Sequence, residues 1–195
     1  MKGSSAQSIK ADRRVSRTRK LLTQALIELT LERGYETLSI RDLAERADIG
    51  YATFFRHYKD KEALLLDVLD ALIEELLILL QPLSADSDPK RVGTLVFAHA
   101  ERNSRLYRVL LESHSSAIEA RIYRVATAAV LSTSKPKPGS PVPPEIAAHH
   151  LVSSFLSLIR WWLEHDRPYP AERMGQVYAE LVMNPTREVA FSAEP

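Results

Sequence analysis

The sequence predicts an all-α protein in two parts, a short three-helix unit followed by a larger helical one. Two patterns carry this. Apolar residues recur three and four positions apart along nearly the whole chain, and no segment shows the every-second-residue alternation of a half-buried strand. The segments end on helix punctuation, such as Gly34 after Glu32-Arg33 and Pro82 after the run ending at Leu80. Composition agrees: 45% hydrophobic and 26% charged residues provide a core and a solvated surface.

From Arg17 to Arg33, Leu22, Ala25, Leu26 and Leu29 define one apolar helix face. Ser39 with Asp42 three residues on forms a capping box that opens a second helix to about Ala47, with Ile40, Leu43, Ala44 and Ala47 turned inward. "DIG" breaks it, and a third short helix spans roughly Tyr51 to Tyr58. Asp60 caps a fourth, running to about Leu80, and "SADSDP" forms a loop. Further helices are expected at about 89–102, 104–112 and 115–133. "STSKPKPGSPVPPE" holds five prolines and reads as a linker within the second unit. A strong helix follows from Pro144 to about Asp166 and a last one from about Ala171 to Met183, with no assignment for the tail beyond. The organisation expected is a disordered basic arm over 1–12, a first domain over 13–62, a second over 63–186 and a tail over 187–195.

Several chemistries are excluded. There is no cysteine for disulfides, thiolate metal sites or thiol catalysis. His149 and His150 are adjacent and diverge on a helix, and no HExxH or i, i+4 histidine pair exists, so no metal site is expected. No Gly-rich phosphate loop, nucleophile elbow or carboxylate dyad is present, so neither enzyme activity nor a cofactor is expected. No apolar run reaches the ~18 residues of a membrane helix, and the basic start has no apolar signal core. The cytoplasm is the expected location.

The net charge of +1 conceals an asymmetry: residues 1–61 carry +5 and the remainder −4, with seven basic residues against one acidic in the first twenty. A basic end on an acidic body suits a polyanion partner. The two short helices around a three-residue turn have helix-turn-helix spacing, in which the second helix enters the major groove of DNA. Phe54 then faces Ile40 and Leu43 as the anchor, leaving Tyr51, Thr53, Phe55 and Arg56 on other faces. Hydroxyl, ring and guanidinium groups match the hydrogen-bonding edges and thymine methyls of bases. His57, Tyr58 and Lys61 are placed for phosphate contacts.

The stretch "RTRKLLTQALIELTLERGYETLSIRDLAERADIGYATFFRHYKDKEALL", Arg17 to Leu65, resembles the DNA-binding domain of the TetR family of bacterial transcriptional regulators. The resemblance implies an all-helical homodimer whose N-terminal domains bind a palindromic double-stranded DNA operator. Its C-terminal domains would dimerise and hold a small-molecule effector, most often releasing a repressor from DNA; an activator or a ligand-independent regulator has the same fold. A helical carrier or enzyme using the C-terminal domain is the alternative from another class. Carried over by position, groove-facing residues fall on Tyr51, Ala52, Thr53 and Phe55. Phosphate contacts fall on His57, Tyr58 and Lys61, with Thr37 and Arg17 as further candidates. The chain departs from the family pattern at Asp48-Ile49-Gly50, where Gly-Val-Ser is usual, at Phe55 for Tyr, and at Thr30 where Phe is frequent.

"SFLSLIRWWLEHDRPYPAERMGQVYAELV" resembles the closing helix pair of one TetR subgroup, which meets its copy as a four-helix bundle. Leu151, Phe155, Leu158 and Trp162, with Val177, Tyr178 and Leu181, are the expected dimer contacts. Trp161 and Trp162 lie about 100° apart on a helix, so one is expected at the interface and the other inside. Effector contacts are sought among polar or aromatic residues in apolar helices: His99, Tyr107, His114, Tyr123 and Trp161.

Overall fold

A computed structural model describes residues 4–83 and 87–192, with side-chain environments from residue 13. Residues 1–3 of the expected arm, 84–86 of the "SADSDP" loop and 193–195 of the tail lie outside the described residues. Ten α-helices are described: α1 Ser4–Arg33, α2 Ile40–Arg46, α3 Tyr51–Phe55, α4 Lys61–Leu80, α5 Pro89–Arg102, α6 Ser104–Glu112, α7 Ser116–Thr133, α8 Pro144–Glu164, α9 Ala171–Tyr178 and α10 Asn184–Ala190. A 3₁₀ turn, Tyr35–Thr37, links α1 to α2. The chain packs as two compact units, Met1–Ala71 with Val109–Ser113, and Leu72–Arg108 with His114–Pro195.

In the first unit the apolar stripe of α1 is buried as its periodicity requires: Leu22, Ala25, Leu26 and Leu29 are all inaccessible, together with Leu43, Phe54, Leu64 and Leu65. Helix α1 begins at Ser4, so residues 4–12, expected to be disordered, continue its turns. Gly34 ends it at φ 83°, a left-handed conformation that suits glycine. The Ser39–Asp42 capping box is complete: Ser39 N–H donates to Asp42 Oδ2 at 2.9 Å, and Asp42 N–H to Ser39 Oγ at 3.2 Å. Asp60 Oδ1 accepts from Ala63 N–H at 2.7 Å at the start of α4.

The second unit is organised around the Phe97 ring of α5. It meets Phe155 and Trp162 of α8 edge-on, both with centroids at 5.5 Å, and Tyr178 of α9 at 6.3 Å. Helices α5 and α9 touch backbone to backbone, for a Cβ at Gly93 would lie 2.5 Å from the Gly175 carbonyl oxygen.

The end of the second unit departs from expectation in two ways. A π-helical turn, Ala179–Met183, joins α9 to α10, with Asn184 N–H donating to Ala179 O. Pro185 follows and has no N–H to continue an α-helical ladder, so the wide turn carries the chain past it. Two short strands also form where none was expected: β1 (Lys135–Pro136) pairs antiparallel with β2 (Phe191–Ser192). The pair is too short to alternate, which is why no pattern announced it.

Candidate nucleic-acid interface

Helices α2 and α3 are set by the turn between them. Ala47 N–H reaches Leu43 O at 3.0 Å and Ile49 N–H reaches Ala44 O at 3.0 Å. Asp48 takes the left-handed conformation at φ 51°, which Asp adopts more readily than most side chains. Gly50 starts α3 with no side-chain cap. Phe54 is fully buried, as the anchor reading requires.

What remains presents a small aromatic face. Tyr51 is 53% and Phe55 46% exposed, with their rings edge-to-face at 5.2 Å. Ala52 is exposed beside them and Thr53 is half-buried. The Thr53 hydroxyl accepts from Arg56 Nη2 at 2.8 Å, so the guanidinium is held over α3. That contact was invisible as a pairing in sequence, although an i, i+3 Thr–Arg spacing on a helix is its signal. Arg17 is exposed, and so is Thr37, whose hydroxyl donates to Arg33 O and Gly34 O, each at 3.0 Å.

His57 is half-buried, and partial burial together with the positive charges of Arg19 and Arg56 pushes its pKa below the ordinary 6.5. Two expected phosphate contacts are committed elsewhere. Tyr58 is buried and its hydroxyl donates to Asp67 Oδ2 at 2.6 Å. Burial and that carboxylate raise the phenol's pKa. Lys61 Nζ donates to three backbone carbonyls, Tyr35 O at 3.0, Leu38 O at 3.1 and Glu36 O at 3.2 Å. It also lies 4.5 Å from the centre of the Tyr35 ring. An ammonium has three N–H donors, so none is left over. Both residues brace the frame that carries α3.

Of the second unit's candidates, the structure brings His99 and Tyr107 together. His99 is 0% exposed, and its Nδ1 lies 3.1 Å from the Tyr107 hydroxyl. His114 stands apart, exposed on the link before α7 with φ 47°. Tyr123 is half-buried and stacks on His149 at 4.6 Å. Trp161 is 41% exposed and stacks on His165 at 4.7 Å, so it is not an interior residue.

The expected dimer contacts need a parallel correction. Trp162 is wholly buried in its own chain, its indole N–H donating to Tyr169 O at 2.8 Å. Tyr178 is buried and donates to Leu151 O at 2.9 Å, and Leu151 is buried as well. These three hold the subunit together. Phe155, Leu158 and Val177 are half-buried, whereas Leu181 is 69% exposed. Among the described residues no His, Asp or Glu cluster could hold a metal ion, and no helix is long and apolar enough to cross a membrane.

Two family models cover most of this architecture. Residues 22–68 match bacterial regulatory proteins of the tetR family, and residues 88–184 match a transcriptional regulator C-terminal region. The chain belongs to the TetR family. Among curated relatives of this TetR-family chain, the regulator TcmR of Streptomyces glaucescens is 35% identical over 77 residues. The match takes in 40% of this chain and about a third (34%) of TcmR. A TetR regulator from Streptococcus agalactiae superposes with a TM-score of 0.67 at 23% identity, covering 90% of this chain and 98% of that one. SmeT, a repressor of a Stenotrophomonas maltophilia multidrug efflux pump, was solved with triclosan. That complex gives a TM-score of 0.67 at 16% identity, over 91% of this chain and 98% of SmeT. Identities this low carry the fold alone.

Proposed function

We propose that this TetR-family chain is a sequence-specific, DNA-binding transcriptional regulator, a repressor released from a palindromic operator by a small molecule. The observation that carries the reading is the face of α3, where Tyr51 and Phe55 stand exposed over a buried Phe54 and Arg56 is oriented by Thr53. Two aromatic rings exposed together on a short helix suit thymine methyls, and a guanidinium suits guanine edges. Residues 13–62 serve as the DNA-binding domain and 63–186 as the ligand-binding and dimerisation domain, working in the cytoplasm. Arg17, Thr37 and His57 supply backbone contacts.

The dimer face is built from Leu181, Trp161, Val177 and Leu158, with Trp161 taking the place expected of Trp162. A two-fold dimer sets two copies of α3 against half-sites about 34–36 Å apart, or a multiple. SmeT's triclosan supports a small, mostly apolar effector. For near-complete release such an effector must bind the DNA-free state roughly 10⁴-fold better.

Selection of bound fragments from sheared source-genome DNA at near-physiological salt, followed by sequencing, tests the reading. Enrichment of a palindrome supports it. Retention without a motif would indicate non-specific binding, and no retention even at low salt would leave the second unit as the seat of function.

A further inference from the structure

Among the described residues of the second unit, one buried side-chain polar atom is left unsatisfied by the fold. His99 Nε2 is inaccessible and has no hydrogen-bond partner, although the ring's other nitrogen meets the Tyr107 hydroxyl at 3.1 Å. The Glu75 carboxylate faces it, with Oε1 at 3.7 Å, just beyond bonding reach. The same oxygen lies 3.5 Å from Asn103 Nδ2. Three helices and the link between α5 and α6 therefore place polar groups around one imidazole: Tyr107 from α6 at Nδ1 of His99 from α5, and Glu75 from α4, with Asn103 of the link beside it, towards Nε2. Glu75 is more than half exposed while His99 is wholly buried, so Nε2 lies directly behind a surface carboxylate.

The arrangement selects a tautomer. If Nδ1 carried the proton, the bare Nε2 lone pair would face a carboxylate. With the Tyr107 hydroxyl donating to Nδ1, Nε2 carries the proton and points a donor towards Glu75 across a gap too wide for a bond. A buried donor without an acceptor is an uncommon feature in a folded chain. A hydroxyl satisfies both sides, because it accepts from Nε2–H and donates to the carboxylate. A carboxylate ligand would be repelled by Glu75, and a bare hydrocarbon would leave the donor unmet.

We propose that the His99 Nε2–H and the Glu75 carboxylate form the polar anchor of the effector site, and that the effector is an uncharged molecule recognised through an alcohol or phenol hydroxyl bridging these two groups. The inference rests on the ligand-released reading above and names its ligand chemistry. Phenols and alcohols share the bridging group, so the probes separate them.

The test is a calorimetric titration of the full chain with matched probes: 4-ethylphenol against ethylbenzene, cyclohexanol against cyclohexane, and 4-ethylbenzoate as the anion. The phenol or the alcohol is expected to bind about tenfold tighter than its hydrocarbon partner, the worth of one buried hydrogen bond. Glu75→Gln, on the surface, should narrow that gap, and His99→Phe should abolish it. Should His99→Phe fail to fold, the parent chain and Glu75→Gln decide alone. Equal affinities within each pair, no saturable binding of either hydroxylated probe, or tighter binding of the benzoate would overturn the proposal. An operator-release assay with the same probes separates the two readings. Operator binding without hydroxyl discrimination removes only the anchor, whereas hydroxyl discrimination without operator binding removes only the regulator.

Discussion

Replacing Lys61 with Met separates two roles that sequence could not tell apart. As a phosphate contact, Lys61 would contribute to DNA affinity and nothing to stability. In the structure its ammonium instead closes the Tyr35–Thr37 turn onto α4, donating to three carbonyls and lying over the Tyr35 ring. Burial, with Glu62, Glu36 and Asp60 nearby, pushes that tyrosine's pKa up to about 12. Met keeps the stem and removes the charge. A charge-assisted hydrogen bond contributes about 1.5–3 kcal/mol, but the three are not additive. The exposed Glu36 carbonyl regains water, and Tyr35 O keeps the Leu38 N–H at 3.2 Å. The expected loss is therefore about 2 kcal/mol, close to a 30-fold fall in the folding constant, read from urea unfolding of the two proteins. In a salt titration of operator binding, the slope of log K against log salt should stay the same, because no phosphate contact is lost. A slope shallower by about 0.9, with the unfolding midpoint unchanged, would refute the reasoning and restore Lys61 to the phosphates.

Other substitutions test the remaining arguments. Gly93→Ala places a methyl 2.5 Å from a backbone oxygen that cannot swing aside; overpacking should outweigh the gain in helix propensity and cost about 1–3 kcal/mol in urea unfolding, and a variant as stable as the parent would contradict the close α5–α9 contact. Thr30→Val removes a buried hydroxyl with no partner and should stabilise the chain by about 1 kcal/mol; a loss would mean that the hydroxyl is satisfied. Leu181→Glu should weaken the proposed dimer by about 30-fold or more in sedimentation, because it puts a charge on the apolar face proposed for it, while Trp162→Phe should lower stability without shifting the monomer–dimer equilibrium. His99 is held neutral chiefly by burial, with Arg102 assisting and Glu75 opposing, so its pKa lies below the usual 6.5. The unfolded chain then takes up the proton first, and this stability, full above pH 6.5, is lost as pH falls through the folded value. Unfolding curves between pH 7.5 and 5.5 should show a steeper decline for the parent than for His99→Phe.

The elements legible in sequence were those specified within a few residues. Periodicity placed the α1 stripe from Leu22 to Leu29, and the Ser39–Asp42 capping box marked the start of α2 because both partners lie on one turn. The helix-turn-helix spacing likewise singled out Phe54 as the anchor and Tyr51 and Phe55 as the presented face. The π turn at Ala179–Met183, by contrast, and the helix that follows it had no local signal, since the width of such a turn depends on what the flanking helices pack against.

Partner choice over long separations belonged to the tertiary structure. Lys61 and Tyr58 look like surface groups in a basic segment, yet their partners are the carbonyls of Tyr35, Glu36 and Leu38 and the Asp67 carboxylate. Adjacent tryptophans on one helix must diverge, and sequence stated as much. Which of them enters the core was settled by Phe97 on α5 and the Tyr169 carbonyl, both of which meet Trp162. Side-chain direction along a helix follows from the local repeat, whereas the identity of the neighbour follows only from how separate helices pack.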